Sequence, residues 1–223
     1  MPVSPAQLGA AAAEAVQAGA GAVHFHVRGA DGRESLAATD VARAVAEVRR
    51  HGVPFGISTG AWIIADPGRR LAAVEEWTVL PDFVSINFDE AGAAELAAVF
   101  LRRNVGLEAG VANPFAAEQL VRSGLGNRCL RIMFEPREQV VGDAMATVAA
   151  TEAALDAAAV RAPRLLHGVH ATAWPLVDAA AARGYGTRIG FEDSLTLPSG
   201  EVARGNGELV RAALARLAGA AST

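Results

Sequence analysis

The sequence contains no lysine, and this absence restricts the chemistry open to the chain. All 20 of its Lys and Arg residues are arginines. Arginine stays protonated and does not form the usual Schiff base. The chain is therefore not a lysine-imine aldolase, an ordinary pyridoxal-phosphate enzyme or a P-loop enzyme. Carbonyl chemistry in this chain would need a metal or a fixed dipole as its electron sink.

Cysteine, long apolar runs and clusters of basic residues are also scarce. Cys129 is the only cysteine, so no internal disulfide can form, and its apolar surroundings predict a core position. No apolar stretch reaches the roughly 18 residues of a membrane span, and the first residues lack the pattern of a signal peptide. The formal net charge is −4. We therefore expect a cytoplasmic protein that binds neither nucleic acid nor membrane.

Short apolar runs alternate with alanine-rich helical stretches over the whole chain. The first helix is predicted over 5–18, with Ser4 as its N-cap. Regular alternation of strand and helix predicts a parallel sheet covered by helices, and the lack of a glycine-rich dinucleotide loop favours a TIM-type (β/α)8 barrel. Residues 1–223 are expected to form one barrel domain. The predicted strands are 22–27, 53–58, 83–88, 105–111, 129–134, 165–170 and 186–191.

Two histidines lie in the first apolar run, Ala22-Val23-His24-Phe25-His26-Val27. Side chains alternate along a strand, so His24 and His26 point to the same face. Far downstream, another apolar run ends in Glu192 and Asp193. Two imidazoles and one carboxylate would make a three-ligand metal site with room for substrate. The alternative is a pair of structural, hydrogen-bonded histidines.

Polar residues also follow most of the other predicted strands. In a (β/α)8 barrel the carboxyl ends of the strands form the face that carries the active site. We therefore expect the functional residues among those that share this placement: His24, His26, Ser58, Thr59, Asn87, Glu108, Glu135, His170, Glu192 and Asp193.

Several segments together resemble the β-keto acid cleavage enzymes. They are 21–28 with its His-x-His strand, Ser58-Thr59-Gly60, Asn87-Phe88, Leu166-His167-Gly168, 188–193 with its Arg-x-Gly-x-Glu-Asp pattern, and 206–210. The resemblance implies a (β/α)8 barrel with a divalent metal, usually zinc. It also implies exchange of acyl groups between a β-keto acid and acetyl-CoA, which releases acetoacetate and a new CoA ester. The resemblance further implies a homo-oligomer, a tetramer.

The resemblance assigns roles to individual residues. His24, His26 and Glu192 correspond to the metal ligands. Arg188 and Asp193 correspond to an arginine and an acid beside the metal, which we interpret as a base held by a bidentate cation, although a rim ion pair is the alternative. Glu108 matches a strand-end glutamate and is the third candidate catalytic residue. The predicted substrate-binding residues are Ser58, Thr59 and Asn87.

The chain also departs from the family pattern. Gly29 and Ser194 replace an acid and an asparagine at outer positions. A first strand is missing before the helix that begins after Ser4, which predicts seven βα units with an N-terminal helix. Either the His24 and Glu192 strands close up into a seven-stranded barrel, or the seam between them stays open or is filled by another segment, or the true start lies upstream of Met1. We favour an upstream start, and expect a seam that weakens the metal site. Two functions other than that of an acyltransferase stay open. The chain could be a degenerate, non-catalytic barrel that binds a small ligand, or an iron(II) oxygenase.

Overall fold

Strands and helices alternate throughout the computed structural model, which describes residues 2–220. The seven strands are β1 Val23–Phe25, β2 Phe55–Ser58, β3 Phe83–Asn87, β4 Gly106–Val111, β5 Arg131–Phe134, β6 Arg164–His167 and β7 Gly186–Arg188. The eight α-helices of these residues are α1 Pro5–Gln17, α2 Ala38–Arg49, α3 Pro67–Glu75, α4 Ala93–Arg102, α5 Pro114–Arg122, α6 Val141–Ala157, α7 Ala173–Arg183 and α8 Asn206–Ala220. Two short 3-10 helices, Gly126–Arg128 and His170–Thr172, precede β5 and α7.

The strands form a sheet in chain order, from β1 to β7. The pairs β1–β2, β2–β3, β5–β6 and β6–β7 are parallel, with His24 opposite Gly56 and His167 opposite Arg188. A helix follows each strand, and α1 precedes β1. This architecture confirms the predicted TIM-type fold class with seven βα units in place of eight.

Helix starts follow the local sequence. Ser4 caps α1 through a capping box with Gln7, as predicted, and Pro5 occupies the first turn. Asp66 and Asn113 cap α3 and α5 with their side chains, each directly before a proline. Helix α2 begins at Ala38 without a side-chain hydrogen bond from its N-cap residue, Ala37.

The chain divides into two compact units, Met1–Glu108 and Ala109–Thr223. In the first unit, α1 packs against α2. Its core contains Phe55, Phe83 and Phe100, and Trp77 donates from Nε1 to the carbonyl oxygen of Leu36 at 2.8 Å. A Cβ atom at Gly56 would lie 2.0 Å from the Phe83 ring, so only glycine allows this ring to cover β2.

In the second unit, α7 packs against α8 and β6. The Phe134 ring stacks on Tyr185, with ring centroids 6.3 Å apart and planes 9° apart. The guanidinium of Arg164 lies 5.8 Å from both ring centroids. Cys129 is buried before β5, which raises the pKa of its thiol to about 12. Its predicted core position is confirmed, although it precedes the strand.

Three strands end two or three residues before the apolar runs from which they were predicted. The run 22–27 forms β1 only over Val23–Phe25, because Arg28 bridges back to Glu34 in antiparallel fashion directly afterwards. The run 165–170 ends as β6 at His167, and His170 adopts a left-handed φ of 52°. The run 186–191 ends as β7 at Arg188, where a turn at Gly190 begins. Each end places polar side chains in the loops that follow.

No helix in the described part of the chain has the length and apolar character needed to cross a lipid bilayer.

Candidate active site

The two histidines of the first unit lie together at the end of β1. His24 is within the strand and His26 follows it directly. Their ring centroids are 5.4 Å apart and their planes make an angle of 80°. Both side chains are partly buried. The structure therefore brings the two predicted imidazoles to the same place, as the alternation of the strand requires.

A chain of hydrogen bonds holds the ring of His24. The Oγ of Ser85, on β3, donates to Glu108 Oε1 on β4 and lies 3.2 Å from His24 Nδ1. A serine hydroxyl has one proton to donate. Since that proton goes to Glu108, Ser85 accepts from His24, and Nδ1 of His24 carries the ring proton. In the neutral imidazole, the lone pair then lies on Nε2.

A carboxylate and an indole contact His26. His26 Nδ1 is 2.8 Å from Glu34 Oε2, and Trp62 Nε1 donates to the same oxygen at 2.7 Å. Burial by itself would raise the pKa of Glu34, but the hydrogen bonds from His26 and Trp62 and the charges of His26 and Arg28 outweigh burial and lower it. Glu34 is therefore an ionised acceptor beside the second imidazole.

The predicted substrate-binding residues lie at the ends of β2 and β3. Ser58 and Thr59 are buried, and Thr59 donates from Oγ1 to the carbonyl oxygen of Ser85 at 2.8 Å. Asn87 is partly buried and donates from Nδ2 to Glu90 Oε1 at 3.1 Å. The buried guanidinium of Arg70 holds the other oxygen of Glu90 at 2.6 Å.

In the second unit, an imidazole is held between two carboxylates. His167, at the end of β6, is fully buried. Its Nδ1 is 2.8 Å from Glu135 Oε1, and its Nε2 is 2.6 Å from Asp193 Oδ1. Both ring nitrogens therefore donate, which requires the protonated imidazolium.

The charges of this cluster shift its pKa values in opposite directions. Burial lowers the pKa of His167, and so does the nearby charge of Arg188, but Asp193 and Glu135 outweigh both and raise it to about 9. Burial raises the pKa of Glu135, yet the hydrogen bond and charge of His167 and the charge of Arg188 produce a net lowering. This triad of Glu135, His167 and Asp193 thus holds an imidazolium at neutral pH.

The partners of Arg188 and Asp193 differ from the prediction. Arg188 Nη2 lies 3.2 Å from Glu192 Oε1, and Nη1 lies 3.7 Å from the sulfur of Met133. Asp193 pairs with His167. The predicted Arg188–Asp193 ion pair is therefore wrong, because the turn at Gly190 directs Asp193 inward and leaves Glu192, one turn from Arg188, at the surface.

Four contributors were absent from the predicted site: His167, Ser85, Glu34 and Trp62. His167 carried a signal, since a histidine at the end of a buried strand needs polar partners. Glu135 was foreseen only as a strand-end acid. Glu34 and Trp62 lie in loops, where the sequence gives no register from which to infer a contact.

The model of the beta-keto acid cleavage enzyme family matches residues 1–222. No curated protein matches the chain.

Solved structures are similar over almost the whole chain. Apo ObcA is 19% identical, with a TM-score of 0.77, and covers 98% of this chain and 62% of its own. A ternary complex of ObcA with a C4-CoA adduct and oxalate is also 19% identical, with a TM-score of 0.78 over 98% and 64% of the two chains. A binary complex of ObcA with oxaloacetate has a TM-score of 0.74 at 18% identity, over 98% and 63%. The present chain therefore spans less than two thirds of ObcA, and at this identity the likeness shows the fold.

Proposed function

Because the chain belongs to the β-keto acid cleavage enzyme family, we propose that it is a metal-dependent acyltransferase that cleaves a carbon–carbon bond of a β-keto acid. In the proposed reaction, the acyl group of the β-keto acid passes to CoA, and the acetyl group of acetyl-CoA passes to the remaining two-carbon fragment. The products are a new CoA ester and acetoacetate. The observation that carries this proposal is the match of the family model to residues 1–222.

The ligands of the similar structures support the substrate classes. ObcA has been solved with oxaloacetate, whose carbonyl group is β to one carboxylate, and with a C4-CoA adduct. For the present chain we propose the same two classes of small molecule, a β-keto acid and a CoA thioester. We further propose a homo-oligomer, a tetramer in line with the family resemblance, which sedimentation would test.

The donor atoms suit a divalent metal. His24, His26 and Glu192 each offer one potential ligand atom. Two imidazoles and one carboxylate are typical of zinc and also of iron(II). The hydrogen bonds of His24 to Ser85 and of His26 to Glu34 leave the lone pair of each neutral ring on Nε2. We propose that these three residues hold zinc, which would supply Lewis-acid stabilisation of an enolate oxygen.

We propose that Asp193 moves the proton in this reaction. Its Oδ1 accepts a hydrogen bond from His167 at 2.6 Å, so we propose that the other oxygen, Oδ2, takes up the proton of the substrate. Asp193 is 2% exposed, and a base that is shielded from water and fixed by an imidazolium keeps a defined direction. His167 acts as a positioning residue, since its second proton is held by Glu135.

The remaining side chains are proposed to bind and orient the substrate. Arg188 lies 3.2 Å from Glu192, and its guanidinium has the charge and shape to bind a substrate carboxylate. Ser58, Thr59 and Asn87 contribute polar groups at the ends of β2 and β3. The proposed catalytic contribution of Glu108 operates through the Ser85 hydroxyl, because Glu108 is fully buried against it.

The test is a product assay on the zinc-loaded protein. The protein is incubated with acetyl-CoA and a panel of β-keto acids that includes oxaloacetate, and the CoA esters are identified by mass spectrometry. A new CoA ester formed together with acetoacetate in equal amount would support the proposal. A protein that binds zinc but forms no CoA ester with any member would overturn it in favour of a non-catalytic barrel. Activity that depends on iron(II) and dioxygen would favour an oxygenase.

A further inference from the structure

We propose that Glu34 and Trp62 form a clamp that fixes His26 as a metal ligand through its Nε2 atom. This inference rests on the proposed metal site and adds two positioning residues to it. Neither residue belongs to the His-x-His strand. Both contact His26 from loops of the same compact unit, which follow β1 and β2 respectively.

One oxygen atom of Glu34 serves both partners. Glu34 Oε2 lies 2.8 Å from His26 Nδ1 and 2.7 Å from Trp62 Nε1. The indole nitrogen can only donate. The guanidinium of Arg28, 3.8 Å from Glu34 Oε1, adds positive charge on the other side of the carboxylate. Surrounded by donors, Glu34 is an acceptor, so the ring proton of His26 lies on Nδ1 and the lone pair on Nε2.

The hairpin that follows β1 brings Glu34 back to His26. Gly29 donates its backbone N–H to the carbonyl oxygen of Arg33, and Ser35 donates to that of Val27. These bonds close a hairpin in which Arg28 and Glu34 form an antiparallel bridge. Gly32 supplies the left-handed φ of 77° that the turn needs. A carboxylate eight residues from the histidine thereby reaches its ring.

Trp62 is held over the same ring by a second fixed contact. A Cβ atom at Gly60 would lie 2.1 Å from the indole, so the ring folds back over a position that only glycine can provide. The Trp62 and His26 rings stack with centroids 5.9 Å apart and planes 23° apart. Trp62 is nevertheless 58% exposed. A large aromatic side chain that buries so little surface contributes little to the core, whereas its N–H donates to Glu34 and its ring stacks on His26.

The clamp has a chemical consequence for metal binding. A carboxylate that accepts the Nδ1 proton fixes the tautomer and the orientation of a ligating imidazole and raises its basicity. Loss of such a partner typically lowers metal affinity about 10-fold to 100-fold. The indole N–H, which shares the oxygen, restricts the carboxylate to one rotamer. Removal of this N–H alone should therefore weaken binding less than removal of the carboxylate.

The experiment compares the variants Glu34→Ala, Glu34→Gln and Trp62→Phe with the wild type by two independent measurements. Zinc affinity is measured by competition with a chromophoric chelator. The tautomer of His26 is read in metal-free protein from its ring 15N chemical shifts. Glu75→Gln, at an exposed carboxylate at the end of α3, serves as the matched control, and a thermal melt verifies that each variant folds.

We expect the Nδ1–H tautomer of His26 in the wild type and its loss in Glu34→Ala. Zinc affinity should fall by about 10-fold or more in Glu34→Ala, by less in Glu34→Gln and Trp62→Phe, and not in the control. An Nε2–H tautomer in the wild type, or unchanged zinc affinity in folded Glu34→Ala, would overturn the clamp. A wild type that binds no zinc would instead contradict the proposed metal site, while the tautomer measurement would still decide whether Glu34 fixes His26.

Discussion

His167 donates from Nε2 to the Oδ1 of Asp193 across 2.6 Å, and neither side chain is more than 2% exposed. This contact joins the end of β6 to the loop after β7, and Glu135 on the far side of the ring completes it. Breaking a buried ion pair by removing one partner costs more than the pair itself contributes, because the remaining charge is left in a poorly solvated place.

Replacement of His167 by glutamine should destabilise the protein by about 3 kcal/mol or more, since it leaves two carboxylates without their shared cation. Urea unfolding of the wild type and the variant measures the difference. Arg211→Lys, an exposed substitution on α8, should leave the midpoint unchanged. A His167→Gln midpoint close to that of the wild type would show that the triad contributes little.

Stability should decrease as the pH rises from about 6.5 to about 9. The pKa of His167 is raised in the folded protein from 6.5 to about 9 by Asp193 and Glu135 against the effects of burial and Arg188, so the native state binds more protons in this interval. The stability that protonated His167 contributes is complete below the pKa of this residue in the unfolded chain. It is lost as the pH rises through the pKa of the folded protein. Glu135, whose pKa is lowered, contributes in the opposite sense and loses its share toward acid.

The measurement is the difference in unfolding free energy between the wild type and His167→Gln at several pH values. We expect this difference to shrink between pH 6.5 and 9. A constant difference would contradict a protonated His167.

His24→Ala should remove most of the bound metal, because it deletes one of the three proposed ligands. Elemental analysis after dialysis against trace zinc gives the content per chain. His51→Ala, at a partly buried histidine beyond α2, provides the control. Full metal content in folded His24→Ala would refute the assignment of this ligand.

Asp193→Asn should lower turnover by at least about 100-fold while the metal content stays at the wild-type level. The amide can still accept from His167 but cannot take up a proton, and general-base catalysis commonly contributes 100-fold or more. The rate of CoA-ester formation is the readout, and Asp143→Asn in the exposed first turn of α6 is the control. Turnover within about twofold of the wild type would leave Asp193 a structural role only.

Arg188→Lys should also lower turnover, by about 10-fold or more. Lysine keeps the charge near Glu192 but cannot present two parallel N–H groups to a carboxylate. A rise in KM with little change in kcat would indicate that Arg188 binds the substrate carboxylate in the ground state. Wild-type values of both constants would reduce Arg188 to a partner of Glu192.

The fold and the histidine pair could be predicted because both depend on local periodicity. Alternation along one strand is enough to place His24 and His26 on one face, and their rings indeed lie 5.4 Å apart. The start of α1 was likewise predictable, because Ser4 caps this helix through contacts within four residues. The ends of the strands were predicted less accurately. The strand β7 stops at Arg188 because the backbone turns at Gly190, and the apolar character of the run gives no sign of this turn.

The partners of charged groups could not be predicted, since they depend on which strand ends meet. Asp193 was expected beside Arg188, five residues earlier, but its partner His167 is 26 residues away on β6. The hydrogen bond between His24 and Ser85 spans 61 residues and depends on the register of three strands. Glu34 is near His26 in sequence, yet only a hairpin with a left-handed glycine brings it back to the ring.

The thiol of Cys129 can be used to measure local opening of the second unit. The thiol is 7% exposed and its pKa is raised to about 12, so a disulfide reagent should react with the native protein only when β5 and the segment before it open. With no other thiol in the sequence, one absorbance trace follows one location. The dependence of that labelling rate on zinc, substrate or pH would report how strongly each of them keeps this part of the molecule closed.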